Sequence, residues 1–187
     1  MSDPITDREL IEKIKKGDTA SFTLLVNRHK NYALTIATRI TLVREEAEEV
    51  AHDAFIKAYS SLHQFKQDAK FTTWFYRIVV NMAISRVRKK KLSTIDIDQS
   101  NYAGADNSSQ EKFDARDRSQ LIQDAMRQLS EDDRMLISLY YLEELDMEEL
   151  SEISGFDKNN LKVKLFRARK RLGQILQKSR ELESVIH

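Results

Sequence analysis

Apolar positions recur every three or four residues along most of this chain, the spacing that gathers them on one face of an α-helix. The cleanest run lies at residues 45–61, where Ala47, Val50, Ala51, Ala54, Phe55, Ala58 and Tyr59, followed by Leu62, form one stripe. Upstream, Thr6-Asp7-Arg8-Glu9 has the form of a capping box and opens a short helix that stops at Gly17. Phe22, Leu25, Val26, Ala33, Ile36, Ala37 and Ile40 predict a second helix from about residue 19. A fourth opens near Thr72 or Thr73 and runs into the basic segment 86–91. The period then fails from about residue 92 to about 112, a stretch of Ser, Asp, Asn, Gln and Gly that predicts a mobile, protease-sensitive linker.

Periodicity returns at Leu121, Ile122, Ala125, Met126 and Leu129. Ser130 is placed to cap a helix holding Met135, Leu136, Leu139 and Tyr140, and Asp146 a short helix through Ser154. Gly155-Phe156-Asp157 predicts a turn, after which a long basic helix begins. The expected fold is therefore all-α: a helical domain over 1–91, a flexible linker over 92–112, and a second helical domain over 113–187. A short helix, a three-residue turn containing Gly and a longer basic helix together make the helix-turn-helix pattern of DNA-binding proteins.

Composition supports long helices: only 4 Gly and 1 Pro occur, and the Pro is at position 4. The absence of Cys removes disulfides and thiolate chemistry and fits a reducing compartment. No apolar run is long enough for a bilayer span and the first residues lack a signal core, so a cytoplasmic protein without membrane insertion is expected. Net charge is only +1, but charge is segregated. Residues 70–91 carry seven basic side chains and no acid, residues 158–180 nine and no acid, and residues 130–157 ten acids with Arg134 the one basic residue. Blocks of one sign suggest binding surfaces.

Face analysis locates the candidate contacts. On the last helix, Leu161, Leu165, Ala168, Leu172 and Leu176 share one side, while Asn159, Lys162, Val163, Phe166, Arg167 and Lys170 share the other. Amides and cations there suit base edges and phosphates. Phe166 suits either a thymine methyl group or packing against a neighbouring helix. The fourth helix is apolar nearly all round, except for Trp74, Arg77, Asn81, Ser85 and Arg88 at i, i+3, i+7, i+11 and i+14. A ring, an amide and a hydroxyl beside guanidinium groups can stack on and hydrogen-bond an unstacked base, although Trp74 suits core packing somewhat better than base contact. Opposite the core stripe of the third helix lie Glu45, Glu49, His52, Asp53 and Ile56, an acidic patch around an apolar residue that suits a protein partner. Glu49-Val50-Ala51-His52 matches one half of a di-iron motif, but no second copy exists, so the ligand count fails. There is no phosphate-cradling glycine loop and no H-E-x-x-H. No catalytic residue, metal or cofactor is expected, and the chain reads as a DNA-binding protein, not an enzyme.

Together these segments resemble the extracytoplasmic-function (ECF) sigma factors of bacterial RNA polymerase, over nearly the whole chain. Residues 46–59 look like that family's polymerase-binding helix, 71–81 like its segment for opening the −10 element, and 81–91 like the part that reads it. Leu129-Ser130-Glu131-Asp132-Asp133-Arg134 is similar to its entry to domain four, and 155–172 to its −35-reading helix-turn-helix. The resemblance implies −35 contacts from Asn159, Asn160, Lys162, Val163, Phe166, Arg167 and Lys170; of the basic residues there, Arg167 is expected to read bases with Phe166, and Lys170 and Arg171 mainly to hold phosphates. It implies −10 contacts from Trp74, Arg77, Asn81, Ser85, Arg88 and Lys89, and polymerase contacts from Glu49, His52, Asp53 and Ile56. It further implies core RNA polymerase (β′ clamp helices and β flap), promoter DNA and an anti-sigma factor as partners. The family's usual Gly-Thr-Val-Lys-Ser-Arg is here Asn159-Asn160-Leu161-Lys162-Val163-Lys164, which bears on which −35 sequence is read. The competing expectation is a free-standing helix-turn-helix regulator with an N-terminal sensor or partner-binding domain.

Overall fold

The computed structural model describes residues 5–66, 68–94 and 120–186, and these residues form helices joined by short turns, with no strand. The first half comprises α1 (Asp7–Lys15), α2 (Thr19–Thr41), α3 (Arg44–Ser61), a 3₁₀ turn (Leu62–Gln64) and α4 (Phe71–Thr94). The second comprises α5 (residues 120–127), α6 (Glu131–Ile137), a π-turn (Ser138–Leu142), α7 (Met147–Ser154) and α8 (Lys158–Ile186).

The ends form where the local chemistry asks for them. Thr6 accepts from the Glu9 N–H while the Glu9 carboxylate accepts from the Thr6 N–H at 2.7 Å, closing the capping box. These bonds favour the ionised carboxylate and hold Glu9 below its usual range. Ser130 and Asp146 cap α6 and α7 by accepting from Asp133 and Glu149 N–H groups. Gly155 ends α7 at φ +74, a left-handed backbone that L side chains rarely adopt. α4 continues to Thr94, so residues 92–94 are helical where the sequence pattern begins the linker. The remainder of that linker, from residue 95, lies outside the described residues.

In the first half α2, α3 and α4 pack on one another around Phe75, which is fully buried. Its ring stacks on Phe71 at 5.6 Å and meets Phe55 at 4.5 Å. Such a ring contributes about 1.5–3 kcal/mol by leaving water. Tyr59, expected on the core stripe of α3, is instead 45% exposed. It leans edge-on against Phe22 at 4.8 Å, between the start of α2 and the end of α3.

The two halves do not stand apart. Leu150, Ile153, Leu161 and Leu165 belong to the same buried cluster as Phe75, Val79 and Ala83. α7 packs on α4, and α6 on both α2 and α4. Leu42, left-handed at φ 58 where α2 ends, packs into a smaller cluster of Met126, Leu129, Ile137 and Ala168 in the second half. A bulky residue in that backbone region is strained, and its packing offsets the cost.

Polar groups fasten the same seam. Arg134, 6% exposed, donates to the carbonyls of Met126 (3.0 Å), Arg127 and Leu129 (3.3 Å each), and across the seam to Ile40 (2.8 Å). These carbonyls close α5 and α2, so one guanidinium satisfies the free ends of two helices and faces the negative pole of each. Burial lowers its pKa, with Glu131 acting in the opposite sense. Glu143 faces Arg39 of α2 at 3.7 Å and accepts from the Tyr32 hydroxyl. Its carboxyl is pushed up, first by burial, with Arg39 pulling the other way. Burial, reinforced by Glu143, pushes the Tyr32 phenol up to about 12.

Candidate nucleic-acid interface

Two surfaces carry the residues singled out in the sequence, and the helices aim them. On α8, Leu161, Leu165 and Ala168 are buried, with Leu172 and Leu176 partly so. A helix turned by that stripe must present its other side to solvent, and Asn159, Asn160, Lys162, Val163, Phe166, Arg167 and Lys170 are all exposed there. Phe166 is 57% exposed and Val163 48%. Phe166 is therefore not packed beneath a neighbouring helix; the Arg169 guanidinium lies over its ring at 5.7 Å. Asp157 accepts from the Asn159 N–H at 2.9 Å and fixes the start of the helix. The turn is braced by Ser151, whose hydroxyl donates to the Phe156 carbonyl at 2.7 Å, and by Lys164 over the Phe156 ring. Arg171 is exposed as well, and its guanidinium pairs with Asp133 and ties α8 to α6.

On α4, Arg77, Asn81, Ser85, Arg88 and Lys89 are exposed, whereas Phe75, Val79, Val80 and Ala83 are buried. Asn81 thus needs no buried hydrogen-bond partner. Trp74 is only half open: its indole lies against Phe65 (5.1 Å) and Phe71 (5.8 Å), so most of the ring serves the core and one edge joins the stripe. Arg86 pairs with Glu49 of α3, and Lys90 with Glu46 at 2.6 Å. Glu49, His52, Asp53 and Ile56 stand exposed on α3 as expected, but the Glu49 carboxylate already has a cation.

The sequence pattern gave no sign of a polar cluster beneath α1. His29, almost wholly buried, bonds Asp7 at 2.8 Å and faces the Tyr76 hydroxyl at 3.4 Å, while Arg28 pairs with the same Asp7. His29 falls on the buried side of α2 between Leu25 and Ala33, a position that hydrophobic spacing alone skips. The only other available signal was a histidine in register with the stripe.

A helical chain with an exposed basic helix after a helix-turn-helix turn has the form of a DNA-binding protein, and a second helix bears an open stripe of cations and amide. Comparison with known proteins makes this specific. The model of sigma-70 region 2 matches residues 25–92, and that of sigma-70 region 4 matches residues 119–172. The RNA polymerase sigma-H factor of Pseudomonas aeruginosa is 30% identical over 181 residues, covering 91% of this chain and 94% of that protein. The ECF RNA polymerase sigma-E factor of Escherichia coli is 30% identical over 187 residues, covering 95% and 97%. Two solved structures share the fold. CnrH in complex with the cytosolic domain of CnrY has a TM-score of 0.67 at 23% identity, covering 91% of this chain and 97% of that one. The sigma factor RpoE in complex with the anti-sigma factor NepR from Bartonella quintana has a TM-score of 0.63 at 22% identity, covering 83% and 96%. The chain belongs to the ECF sigma factors of RNA polymerase. It is therefore a non-enzymatic transcription initiation factor and not a free-standing regulator. Among the described residues, no helix is long and apolar enough to cross a membrane.

Proposed function

We propose that this sigma factor, working in the cytoplasm where core RNA polymerase and promoter DNA meet, divides recognition between its two exposed surfaces. Domain two spans residues 1–91, domain four 113–187, and the linker 92–112 joins them. Asn159, Asn160, Lys162, Val163, Phe166, Arg167 and Lys170 read the −35 element as duplex. Trp74, Arg77, Asn81, Ser85, Arg88 and Lys89 take the −10 element as it opens. Glu49, His52, Asp53 and Ile56 dock on the β′ clamp helices, and domain four docks on the β flap.

The observation that carries the −10 assignment is the exposure of Asn81 in line with Arg77, Ser85 and Arg88, on a helix whose opposite side, Phe75, Val79 and Ala83, is buried. An amide both donates and accepts, so it can grip the edge of a base that has left the stack. Unstacking costs a few kcal/mol, which the surface must return through hydrogen bonds and apolar contact with the half-buried indole of Trp74. The test is Asn81→Ala in transcription initiation. Polymerase binding and duplex −35 binding stay near parental while open-complex formation falls, and a pre-melted promoter bubble restores part of the loss. A folded variant that opens duplex promoter at the parental rate overturns the assignment.

A further inference from the structure

Phe166 stands on the open face of α8 with more than half of its side chain in solvent, so core packing does not choose among its rotamers. A ring that reads one base must nevertheless point one way. A support comes from its own helix and from outside it. The Arg169 guanidinium, one turn further along α8, lies over the ring at 5.7 Å, within reach of a cation–π contact. Its Nη1 donates to the Tyr141 hydroxyl at 3.4 Å. Tyr141 belongs to the π-turn, which the Glu143 N–H closes by donating to the Ser138 carbonyl five residues back. That wider turn rotates the side chains that follow relative to an α-helix, and Tyr141 ends beside α8. Tyr140 meets the Tyr141 ring edge-on at 4.9 Å and itself packs against the main core. Lys158 and Arg171 of the same helix pair with Glu148 and Asp133, but among the described residues no carboxylate pairs with Arg169. The ring and the hydroxyl are the contacts that place its guanidinium.

We infer that Tyr141 and Arg169 are positioning residues for −35 reading: the hydroxyl holds the guanidinium, and the guanidinium holds the Phe166 ring in the orientation that meets a base. This rests on the assignment of Phe166 to the −35 element. Specificity at one base position is then set in part from outside the helix-turn-helix, by the connection between α6 and α7. Arginine suits the task because its donors form a planar fork, so one N–H can serve Tyr141 while the cation stays over the ring. A ring held in one orientation loses little rotamer freedom on binding the matched base, whereas a free ring can tilt to accept a mismatched one. An exposed cation–π contact changes such an equilibrium by roughly 2- to 5-fold, and that is the discrimination the support contributes. Arg167 lies about 100° around the helix from Phe166 and about 160° from Arg169, so its own base contact is independent of the support.

The test uses the full chain assembled with core RNA polymerase, and a library of duplexes randomised across the −35 region, so that preference is read position by position. Phe166→Ala flattens preference at one position and thereby identifies the base that the ring meets. Tyr141→Phe keeps the ring that packs on Tyr140 and removes the hydroxyl alone. It lowers discrimination at that same position about 2- to 5-fold and leaves the position flattened by Arg167→Ala at its parental value. Arg169→Gln, which removes the cation, lowers it at least as far. Adding Tyr141→Phe to Arg169→Gln or to Phe166→Ala changes nothing further at that position, because the three side chains act in series. Parental discrimination in Tyr141→Phe overturns the inference, and so does a loss shared equally by all positions, which is what a merely structural role in domain four produces. If Phe166→Ala leaves the whole profile unaltered, base reading by Phe166 has failed, and the support with it.

Discussion

Arg134→Met is the most informative single perturbation of the seam. Methionine keeps much of the buried stem and removes every donor. Four carbonyls lose a partner, two of them at good distance: Met126 at 3.0 Å within domain four and Ile40 at 2.8 Å across the seam. Hydrogen bonds from a charged donor contribute about 1.5–3 kcal/mol each, so these two amount to about 3–6 kcal/mol. Methionine also avoids the desolvation of a buried cation, which recovers part of the loss and leaves a net destabilisation of about 2–4 kcal/mol. The Ile40 bond belongs to closure alone, so the loss divides unevenly between the halves. The chain holds a single Trp, Trp74, packed against Phe65 in domain two, and both halves are helical. Urea unfolding followed by Trp fluorescence and by far-ultraviolet circular dichroism separates the two contributions. The parent, with one continuous core, gives coincident transitions. Arg134→Met lowers the dichroism midpoint further than the fluorescence midpoint, because domain four loosens first. Coincident transitions with midpoints within about 0.5 kcal/mol of the parent would refute the role assigned to this arginine.

Gly155→Ala places a side chain at φ +74 and should cost about 1–2 kcal/mol by thermal unfolding, although nothing bars the Cβ sterically. Arg167→Ala should relax sequence preference at one −35 position by about 1–3 kcal/mol, whereas Lys170→Ala should weaken binding to all sequences alike, read from binding profiles over mixed duplexes at two salt concentrations. Phe166→Ala should leave the melting curve within about 0.5 kcal/mol of the parent, because the ring is 57% exposed, while lowering −35 duplex affinity. For Glu143 the folded-state pKa is raised above its ordinary 4.5, so the folded chain binds that proton more tightly than the unfolded one. Its contribution is full below 4.5 and is lost as pH rises through the raised value. Glu143→Gln should accordingly be more stable than the parent at neutral pH and lose that advantage in acid, measured by urea midpoints across the range.

Helix placement was legible in the sequence because each signal is local. Thr6, Ser130 and Asp146 cap their own helices within three residues, and Gly155 supplies a backbone angle that its neighbours cannot. The two open faces were legible for a related reason. Burial of Leu161, Leu165 and Ala168 on one side of α8, and of Phe75, Val79 and Ala83 on α4, leaves one direction for Phe166 and for Asn81. What one stripe cannot say is which partner covers it. Periodicity showed two domains and two charged surfaces, but not that Leu150 and Ile153 would share a core with Phe75, or that Leu42 would reach into domain four. Nor could it show that Arg171 would pair with Asp133 of α6. The acidic block at 130–157 and the basic block at 70–91 were both visible, yet attraction between segments 44 to 79 residues apart depends on where the chain folds back. Buried Arg134 makes the same point: its ligands are main-chain carbonyls, which every residue carries, so only the folded positions of two helix ends identify them.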